Sequence, residues 1–437
     1  MYIFSNKIRN FSMLLMLLGV LGLTYSFLNI PSTIEEAQLM VADSNHGGNH
    51  GGNHGNENKD LSHDSDGHEI DHGEHLLHKL QNKPWAALYV AALFFMLISL
   101  GVLAFYAIQR ASQAGWPIVL YRVMEGITGY LLPGTLIVLT ILIFSSLHFN
   151  HLFIWMDPEV VQNDQLIKNK SGYLNSTSFF IRAGIYILGW NTYQYFSRKL
   201  SLLQDKANNI KNHILNFRIS AGFLVFYIVT ESMMSWDWIM SIDPHWFSTL
   251  FGWYVFASMF VTGITVIALI AIYLKHEGYL DFVNENHIHN LGLFMFGVSV
   301  FWTYLWFSQF MLIWYSNIPE EVTYFITRIE DYTIPFWSML IMNFIFPLLI
   351  LMSRDYKRVN YIIVMTGIVI VLGHYIDVFN MIMPSAVGDQ WSIGVPEISG
   401  FIFFLGLFIL VVFKSISKVP LLASGDPFLK ESKKFHY

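Results

Sequence analysis

The chain has 437 residues, of which 54% are hydrophobic, 16% aromatic and only 13% charged, and its mean hydropathy is +0.46. Because a soluble domain carries about 25% charged residues, this composition excludes an ordinary soluble enzyme and favours a protein with several membrane spans. The formal charge of −6 argues against a nucleic-acid partner, and the absence of cysteine excludes disulfides, a thiol nucleophile and iron–sulfur clusters ligated by this chain.

Long apolar runs recur along the whole sequence and predict ten membrane-spanning helices. A run of about 20 apolar residues crosses the hydrocarbon core, and lipid admits only helices or closed barrels. The runs are too long for the roughly ten-residue strands of a barrel, so we predict an all-α polytopic fold. The predicted spans are residues 11–30, 85–108, 117–147, 179–196, 217–236, 251–274, 291–313, 332–352, 360–381 and 398–413.

Lysine and arginine residues fall mainly on one side of the predicted membrane. With the N-terminus inside, all but seven of the 25 lie in cytoplasmic segments, and the seven are Lys59, Lys79, Lys83, Lys168, Lys170, Arg182 and Arg328. Because cytoplasmic loops are enriched in these residues, we predict that both termini face the cytoplasm, the C-terminus as a tail of residues 416–437.

Residues 1–31 hold the first span and have two interpretations. Lys7 and Arg9 before an apolar run are typical of a secretory signal peptide. The run is longer than the usual 7–15 residues and no clear A-x-A cleavage site follows it, which favours a retained anchor. Cleavage would leave nine spans and an external N-terminus.

Residues 32–83 form a histidine-rich segment ahead of the membrane core at residues 84–415. It contains GGNHGGNHGN and eight of the 17 histidines, namely His46, His50, His54, His63, His68, His72, His75 and His78. Such tracts bind metal in some proteins. The spacing fits no single closed zinc site, and Gly, Asn and Asp do not form a core, so we favour a solvated external tether.

Ionisable residues inside a span are costly to bury and are therefore functional candidates. Glu125 lies about 12 Å into the third span, in its cytoplasmic half, and neighbouring Gly and Pro residues predict a kink. Glu231 in the fifth span lies about 9 Å deeper than Asp237. In the ninth span, His374 and Asp377 are three residues apart and share a helix face.

Further polar residues mark the outer ends of the spans. His148 and His151 are predicted to share a helix face after the third span, Arg182 opens the fourth, and Asp243 and His245 follow the fifth. Such residues either reach interfacial water or line a buried outer cavity. A haem b held by one of these histidines and a histidine of the ninth span is an alternative, although histidines on separate helices are weak evidence for haem.

Two loop motifs and one Trp-Pro pair carry a family resemblance. The segment 236–249 (WDWIMSIDPHWFST), the loop 153–158 (FIWMDP) and Trp116-Pro117 resemble motifs of the NrfD-like (polysulfide-reductase-type) membrane subunits of bacterial alternative complex III, a quinol:cytochrome c oxidoreductase. Together with the ten-span layout they look most like the ActF type. The resemblance covers about residues 83–414 and leaves out the first span and the histidine-rich segment.

The resemblance implies two four-helix bundles flanked by peripheral helices, in a bacterial inner membrane. It implies an assembly that oxidises quinol and passes electrons through an iron–sulfur protein and multihaem and monohaem cytochrome c subunits to cytochrome c or a terminal oxidase. A paralogous membrane subunit would be the principal quinol site. The haem c and iron–sulfur centres would belong to these partners, which agrees with the lack of cysteine, while this chain would hold no metal and contribute a quinone site or a proton pathway.

Quinol oxidation releases two protons with two electrons, so side chains that accept protons are required near the outer surface. We hypothesise that such a cluster, with an arginine as charge partner, comprises His374, Asp377, Asp237, His245 and Arg182. Two carboxyl groups deeper in the membrane, Glu125 and Glu231, would relay protons from the cytoplasmic half. Any pumping would need redox energy from a partner, because moving one proton against 100 mV costs about 2.3 kcal/mol.

Two other functions fit the same features. A secondary transporter also has broken helices and charged residues near the membrane midplane. A purely structural anchor would dock peripheral redox subunits without taking part in the reaction.

Overall fold

The computed structural model describes residues 2–47 and 65–436, and its regular elements in these ranges are all helical. In chain order the α-helices are α1 (Asn6–Leu28), α2 (Ile34–Gly47), α3 (Ser65–Ala111), α4 (Tyr121–Ile127), α5 (Leu131–Ser146), α6 (Pro158–Asn163), α7 (Gln165–Lys170), α8 (Ser176–Gln204), α9 (Lys211–Trp238), α10 (Phe251–His276), α11 (Glu285–Ser316), α12 (Pro319–Glu330), α13 (Thr333–Leu340), α14 (Phe346–Leu351), α15 (Asn360–Val387), α16 (Val395–Ile416) and α17 (Leu429–Lys433).

Nine helical stretches within the described residues are long and apolar enough to cross a membrane, which confirms the prediction of a multi-pass helical protein. They are Asn6–Leu28, Leu76–Ala111, Trp116–Ser146, Lys211–Ile242, Phe251–His276, Glu285–Ser316, Thr333–Leu351, Asn360–Val387 and Val395–Ile416. The remaining predicted span, 179–196, lies inside the 29-residue helix α8. Polar side chains interrupt α8, so it is less apolar than the other nine.

The helix that crosses the membrane second begins well before its predicted start. α3 has 47 residues and runs from Ser65, and α2 occupies the chain up to Gly47. The segment predicted as a tether is therefore helical at both described ends. α2 packs against α3, where a Cβ at Gly73 would approach Ile34 to 2.6 Å. His50, His54 and His63 lie outside the described residues, so the metal-binding alternative concerns a part of the tract that the structure does not describe.

Two of the spans are not continuous α-helices, as the Gly and Pro residues of the third predict. In the third span, a 3-10 turn at Trp116–Leu120 precedes α4, and a second at Thr128–Tyr130 lies between α4 and α5. In the eighth, a five-residue π-turn at Ile341–Ile345 joins α13 to α14. Pro347 explains it, because the ring of a proline clashes with the carbonyl four residues earlier, here that of Asn343.

α3 lies at the centre of the fold and contacts α5, α9, α10, α15 and α16. Its crossing with α10 is especially close. A Cβ at Gly101 would lie 2.1 Å from the carbonyl oxygen of Met259, and one at Gly263 would lie 2.8 Å from the amide nitrogen of Val102. Small residues at such points allow membrane helices to pack backbone to backbone.

α1 packs along α16 by the same means. A Cβ at Gly19 would meet Phe403 at 2.5 Å, and one at Gly406 would meet the carbonyl oxygen of Ser12 at 2.7 Å. The first and last spans of the chain are therefore neighbours.

The first and last described residues, Tyr2 and His436, lie at one end of the helix assembly, here called the terminal end. The opposite end is called the far end. The ring of Tyr2 lies 5.0 Å from that of Tyr279 and 5.8 Å from that of Phe413. The C-terminal segment folds back over this end, where α17 contacts the turn at Trp116–Leu120 and the Ser432 hydroxyl donates to the carbonyl oxygen of Trp116 over 2.7 Å.

Candidate functional site

Glu125 lies in a buried cluster of charged groups near the terminal end. Its carboxylate accepts hydrogen bonds from Arg122 Nη1 over 2.6 Å and from the Tyr106 hydroxyl over 3.0 Å, and Arg110 Nη2 lies 4.0 Å away. Glu125 is 2% exposed and Arg122 is fully buried. α4 contacts α3, α10 and α16, which places these groups inside the assembly.

Two further carboxylates complete this cluster, and both come from segments that follow helices. Asp205, after α8, pairs with Arg122. Asp426, in the C-terminal segment, accepts a hydrogen bond from Arg110 Nη1 over 3.0 Å and lies 3.7 Å from His213 Nδ1. Burial alone raises the pKa of Asp426, but the nearby imidazole of His213 and the charge of Arg110 together hold that pKa below its ordinary value.

A chain of neutral polar groups continues from this cluster into the interior. Ser197 Oγ lies 3.4 Å from the Tyr106 hydroxyl and donates to Asn216 Oδ1 over 2.7 Å. Ser220 Oγ donates to the carbonyl oxygen of Asn216 over 2.7 Å and lies 2.7 Å from the Tyr193 hydroxyl. The sequence reasoning missed these residues, because neutral side chains in a span give no charge signal.

The same buried face of α9 carries Glu231 farther along. The positions 216, 220, 227 and 231 follow the spacing of one helix face, and all four residues are buried. Glu231 is 3% exposed, its Oε2 accepts from Ser232 Oγ over 3.3 Å, and its Oε1 has no protein partner. A buried carboxyl oxygen requires a hydrogen-bond partner, so this one is placed to bind a water or a proton.

The far end of α9 presents Asp237, which is fully buried rather than interfacial. Arg182 Nε and Nη2 each donate a hydrogen bond to this carboxylate, and the Tyr186 hydroxyl donates a third; each of the three measures 2.8 Å. The guanidinium group also lies 3.9 Å from the centroid of the Tyr173 ring. The structure thus joins two members of the predicted cluster, Arg182 and Asp237, in a two-bond ion pair.

His374 and Asp377 form a second fully buried centre on α15. Asp377 accepts hydrogen bonds from Trp302 Nε1 over 3.0 Å, from Ser258 Oγ over 2.8 Å and from the Tyr254 hydroxyl. His374 Nδ1 lies 3.3 Å from the carboxylate. This centre was predicted in the outer third of the membrane, but α15 continues six residues past the predicted end, so His374 lies near the middle of the helix, about 20 Å from either end at 1.5 Å per residue.

The two ring nitrogens of His374 differ in their surroundings. Nδ1 lies 2.9 Å from Ser258 Oγ, 3.3 Å from the Asp377 carboxylate and 3.5 Å from Asn343 Nδ2. Nε2 is buried and has no protein partner. The centre therefore offers a ring nitrogen without a protein partner beside a carboxylate held by three hydrogen bonds.

Other predicted residues lie apart from these centres. His245 is half exposed and pairs with Asp164 over 2.6 Å, and this hydrogen bond holds the pKa of Asp164 below its ordinary value. Asp243 lies 3.9 Å from His245 Nδ1. No hydrogen bond or ion pair in the described residues links this group to Asp377, so the predicted outer cluster is divided among three places.

The prediction that the two histidines after the third span share a helix face is wrong. The helix ends at Ser146, and His148 is exposed with a left-handed φ of 60°. The ring of His151 lies 4.6 Å from that of His78, and burial lowers the pKa of His151, with a smaller contribution from His78. Within the described residues neither histidine contacts His374, so the structure does not pair them as haem ligands.

The two loop motifs that carry the family resemblance meet at the far end. Trp155 Nε1 of the first motif donates to Ser241 Oγ of the second over 3.3 Å. Trp246 stacks on Tyr324 at 3.9 Å between ring centroids, and Arg328 lies 3.3 Å from the centroid of that Tyr324 ring. The motifs therefore act as packing elements that close this end of the helices.

One small cavity and one larger groove lie near these buried groups, and they differ in the size of molecule that they can hold. A cavity of about 10 Å³ is lined by Gln309, Arg328 and Asn380 among others, and also by Tyr254, whose hydroxyl binds Asp377. It has room for about one water. A larger groove of about 480 Å³ lies between α8 and α9 and reaches Tyr193. No group of three or more His, Asp or Glu side chains in the described residues is arranged to hold a metal ion.

No protein-family model matches the chain, and a search of curated proteins finds no significant relative. The functional interpretation therefore depends on the arrangement of these side chains.

Proposed function

We propose that this chain is a proton-conducting membrane subunit of a quinol-oxidising respiratory complex of the alternative complex III kind, in the inner membrane of a bacterium. The partners would be an iron–sulfur protein, multihaem and monohaem cytochrome c subunits and a paralogous quinol-binding subunit, with cytochrome c or a terminal oxidase as electron acceptor. The family resemblance of the loop motifs supports the complex, and the lack of cysteine agrees with redox centres held by partners.

The observation that carries the proton-conducting role is the polar face inside the helices. Hydrogen-bonded groups run from Glu125 through Tyr106, Ser197 and Asn216, and the same face of α9 then carries Glu231. Buried polar groups are expensive in a membrane protein and mark ion and proton routes. A carboxyl group with one unpaired oxygen, as in Glu231, is suited to pass a proton to a water.

The second centre supports the same role. His374 Nε2 has no protein partner, and the cavity beside Tyr254 admits about one water but not a quinone ring. This geometry favours proton transfer over quinone binding at the centre. A quinone would instead fit the larger groove that reaches Tyr193.

The helix contacts support two four-helix bundles that flank a shared interface. α3, α5, α8 and α9 contact one another in sequence, as do α10, α11, α13 with α14, and α15. α1 and α16 lie outside these groups. The excess of lysine and arginine at the terminal end supports cytoplasmic termini.

A structural anchor remains the competing proposal for the Glu125 cluster. Arg110 joins Asp426 of the C-terminal segment to this cluster, so the ion pairs also fasten that segment to the helices. A secondary transporter is disfavoured by the small size of the cavity beside Tyr254.

Proton-to-electron stoichiometry in proteoliposomes tests the proposal. Glu231→Gln keeps the shape of the side chain but removes its proton, and we expect the complex to assemble and oxidise quinol while translocating fewer protons per electron. Glu125→Gln is expected to act in the same direction. Glu277→Gln, at an exposed glutamate of the terminal end, is the control and should leave the stoichiometry unchanged. Normal assembly with full stoichiometry in both variants would leave only the anchoring role.

A further inference from the structure

A wide groove with a basic rim opens near the terminal end between α5, α8 and α16. Its volume is about 1010 Å³, at the upper limit of pockets for small molecules, which measure about 300–1,000 Å³. One wall is apolar and includes Leu132, Pro133 and Val411. α5 and α16 belong to the membrane-spanning stretches, so this wall faces the lipid phase.

The floor of the groove is a fixed arginine. Arg198 Nη1 donates to Ser415 Oγ over 2.6 Å, and Nη2 donates to the carbonyl oxygen of Ser415 over 2.9 Å. A Cβ at Gly129 would lie 2.5 Å from Ser415 Oγ, so only glycine allows α16 to approach this closely. The guanidinium group is half-buried and held in one orientation, which reduces the entropy lost when it binds an anion.

Four lysines surround this arginine, and all of them are exposed: Lys199, Lys206, Lys414 and Lys418. Among the described residues, none of the four forms an ion pair with a carboxylate. Asp205 is the acidic residue that borders the groove, and it is engaged by Arg122. The groove therefore carries a concentrated positive charge that its own side chains do not neutralise.

We propose that this groove binds an anionic phospholipid. The phosphate of the headgroup lies between Arg198 and the lysines, and the acyl chains lie along the wall formed by Leu132, Pro133 and Val411. Basic pockets between membrane helices bind anionic headgroups, and the apolar wall at membrane depth distinguishes a lipid from a soluble phosphate. An acidic protein segment would use the charge but would not use this wall.

The experiment measures lipid binding to the native assembly after removal of bound lipid. Phosphatidylglycerol, phosphatidylcholine and glycerol 3-phosphate are titrated separately, and bound ligand is detected by native mass spectrometry. A lysine near an anionic lipid contributes about fivefold to affinity. The triple variant K199Q/K414Q/K418Q is therefore expected to bind phosphatidylglycerol about 100-fold more weakly than the unmodified protein. The matched control K211Q/K430Q/K433Q, at exposed lysines outside the groove, should bind within about twofold of the unmodified protein.

Three results would overturn the proposal. Equal losses in the two triple variants would indicate a general surface charge effect. Equal affinity for phosphatidylglycerol and phosphatidylcholine would remove the role of the headgroup charge. Glycerol 3-phosphate binding as tightly as phosphatidylglycerol would identify a soluble phosphate as the ligand. A thermal melt of each variant checks that the substitutions leave the fold intact.

Discussion

Replacing Arg182 with alanine removes the guanidinium group that holds Asp237 at the far end of α9. The carboxylate is fully buried, and two of its three hydrogen bonds come from this arginine, each over 2.8 Å. Tyr186 would be left as its donor. The variant therefore leaves a buried charge that has lost its counter-ion.

The expected cost follows from the kind of contact that is lost. Removing one partner of a buried ion pair lowers the free energy of unfolding by about 3–5 kcal/mol. Arg182→Lys keeps the charge but loses the two-bond geometry, so it should cost about 1.5–3 kcal/mol, the contribution of one hydrogen bond to a charged group. The double variant Arg182→Met with Asp237→Leu removes both charges and is expected to be more stable than Arg182→Ala.

Unfolding in mixed micelles with increasing denaturing detergent, followed by circular dichroism, measures these differences. A double-mutant cycle with Asp237→Ala should give a coupling free energy above about 1 kcal/mol, because the residues are in direct contact. A coupling near zero, with equal losses for Arg182→Ala and Arg182→Lys, would refute the reasoning that this pair holds α8 to α9.

Two further variants test other contacts. Gly101→Ala should lower the free energy of unfolding by about 1–3 kcal/mol, because the new methyl group would meet the backbone of α10; Gly297→Ala, where the methyl group meets open space, should be neutral or stabilising in the same unfolding assay. Asp426→Asn should destabilise the protein at pH 7. The folded-state pKa of Asp426 is lowered, so its contribution is present above the unfolded value of about 3.9 and is lost as the pH falls through the folded pKa. The difference between Asp426→Asn and the unmodified protein should therefore shrink in unfolding measurements below about pH 4, and a difference that is independent of pH would contradict this assignment.

The sequence predicts the helices well, because apolar length is a local property. Nine predicted spans coincide with apolar helices, and the kink near Glu125 follows from neighbouring Gly and Pro. The early start of α3 was missed, since its first turns are polar and are stabilised by packing against α2 rather than by lipid.

The side-chain partners were harder to predict, because they depend on contacts between helices distant in sequence. Charge alone suggested Arg182 as a partner of the predicted outer cluster. Nothing in the sequence shows that Arg182 pairs with Asp237 or that His245 pairs with Asp164. Arg110 and Arg122 were read as markers of the cytoplasmic side, yet both are buried counter-ions of Glu125. The regular spacing of Asn216 and Ser220 on α9 was the available signal for the neutral chain.

The pairing of α1 with α16 has a consequence for biosynthesis. About 370 residues separate the two helices in the chain, and a ribosome that adds 5–20 residues per second takes roughly 20–70 s to make them. During that interval the glycine-bearing surface of α1 has no final partner and faces lipid or the insertion machinery. The contact between α1 and α16 therefore forms only after the end of the chain has been translated, and not when the first segment is inserted.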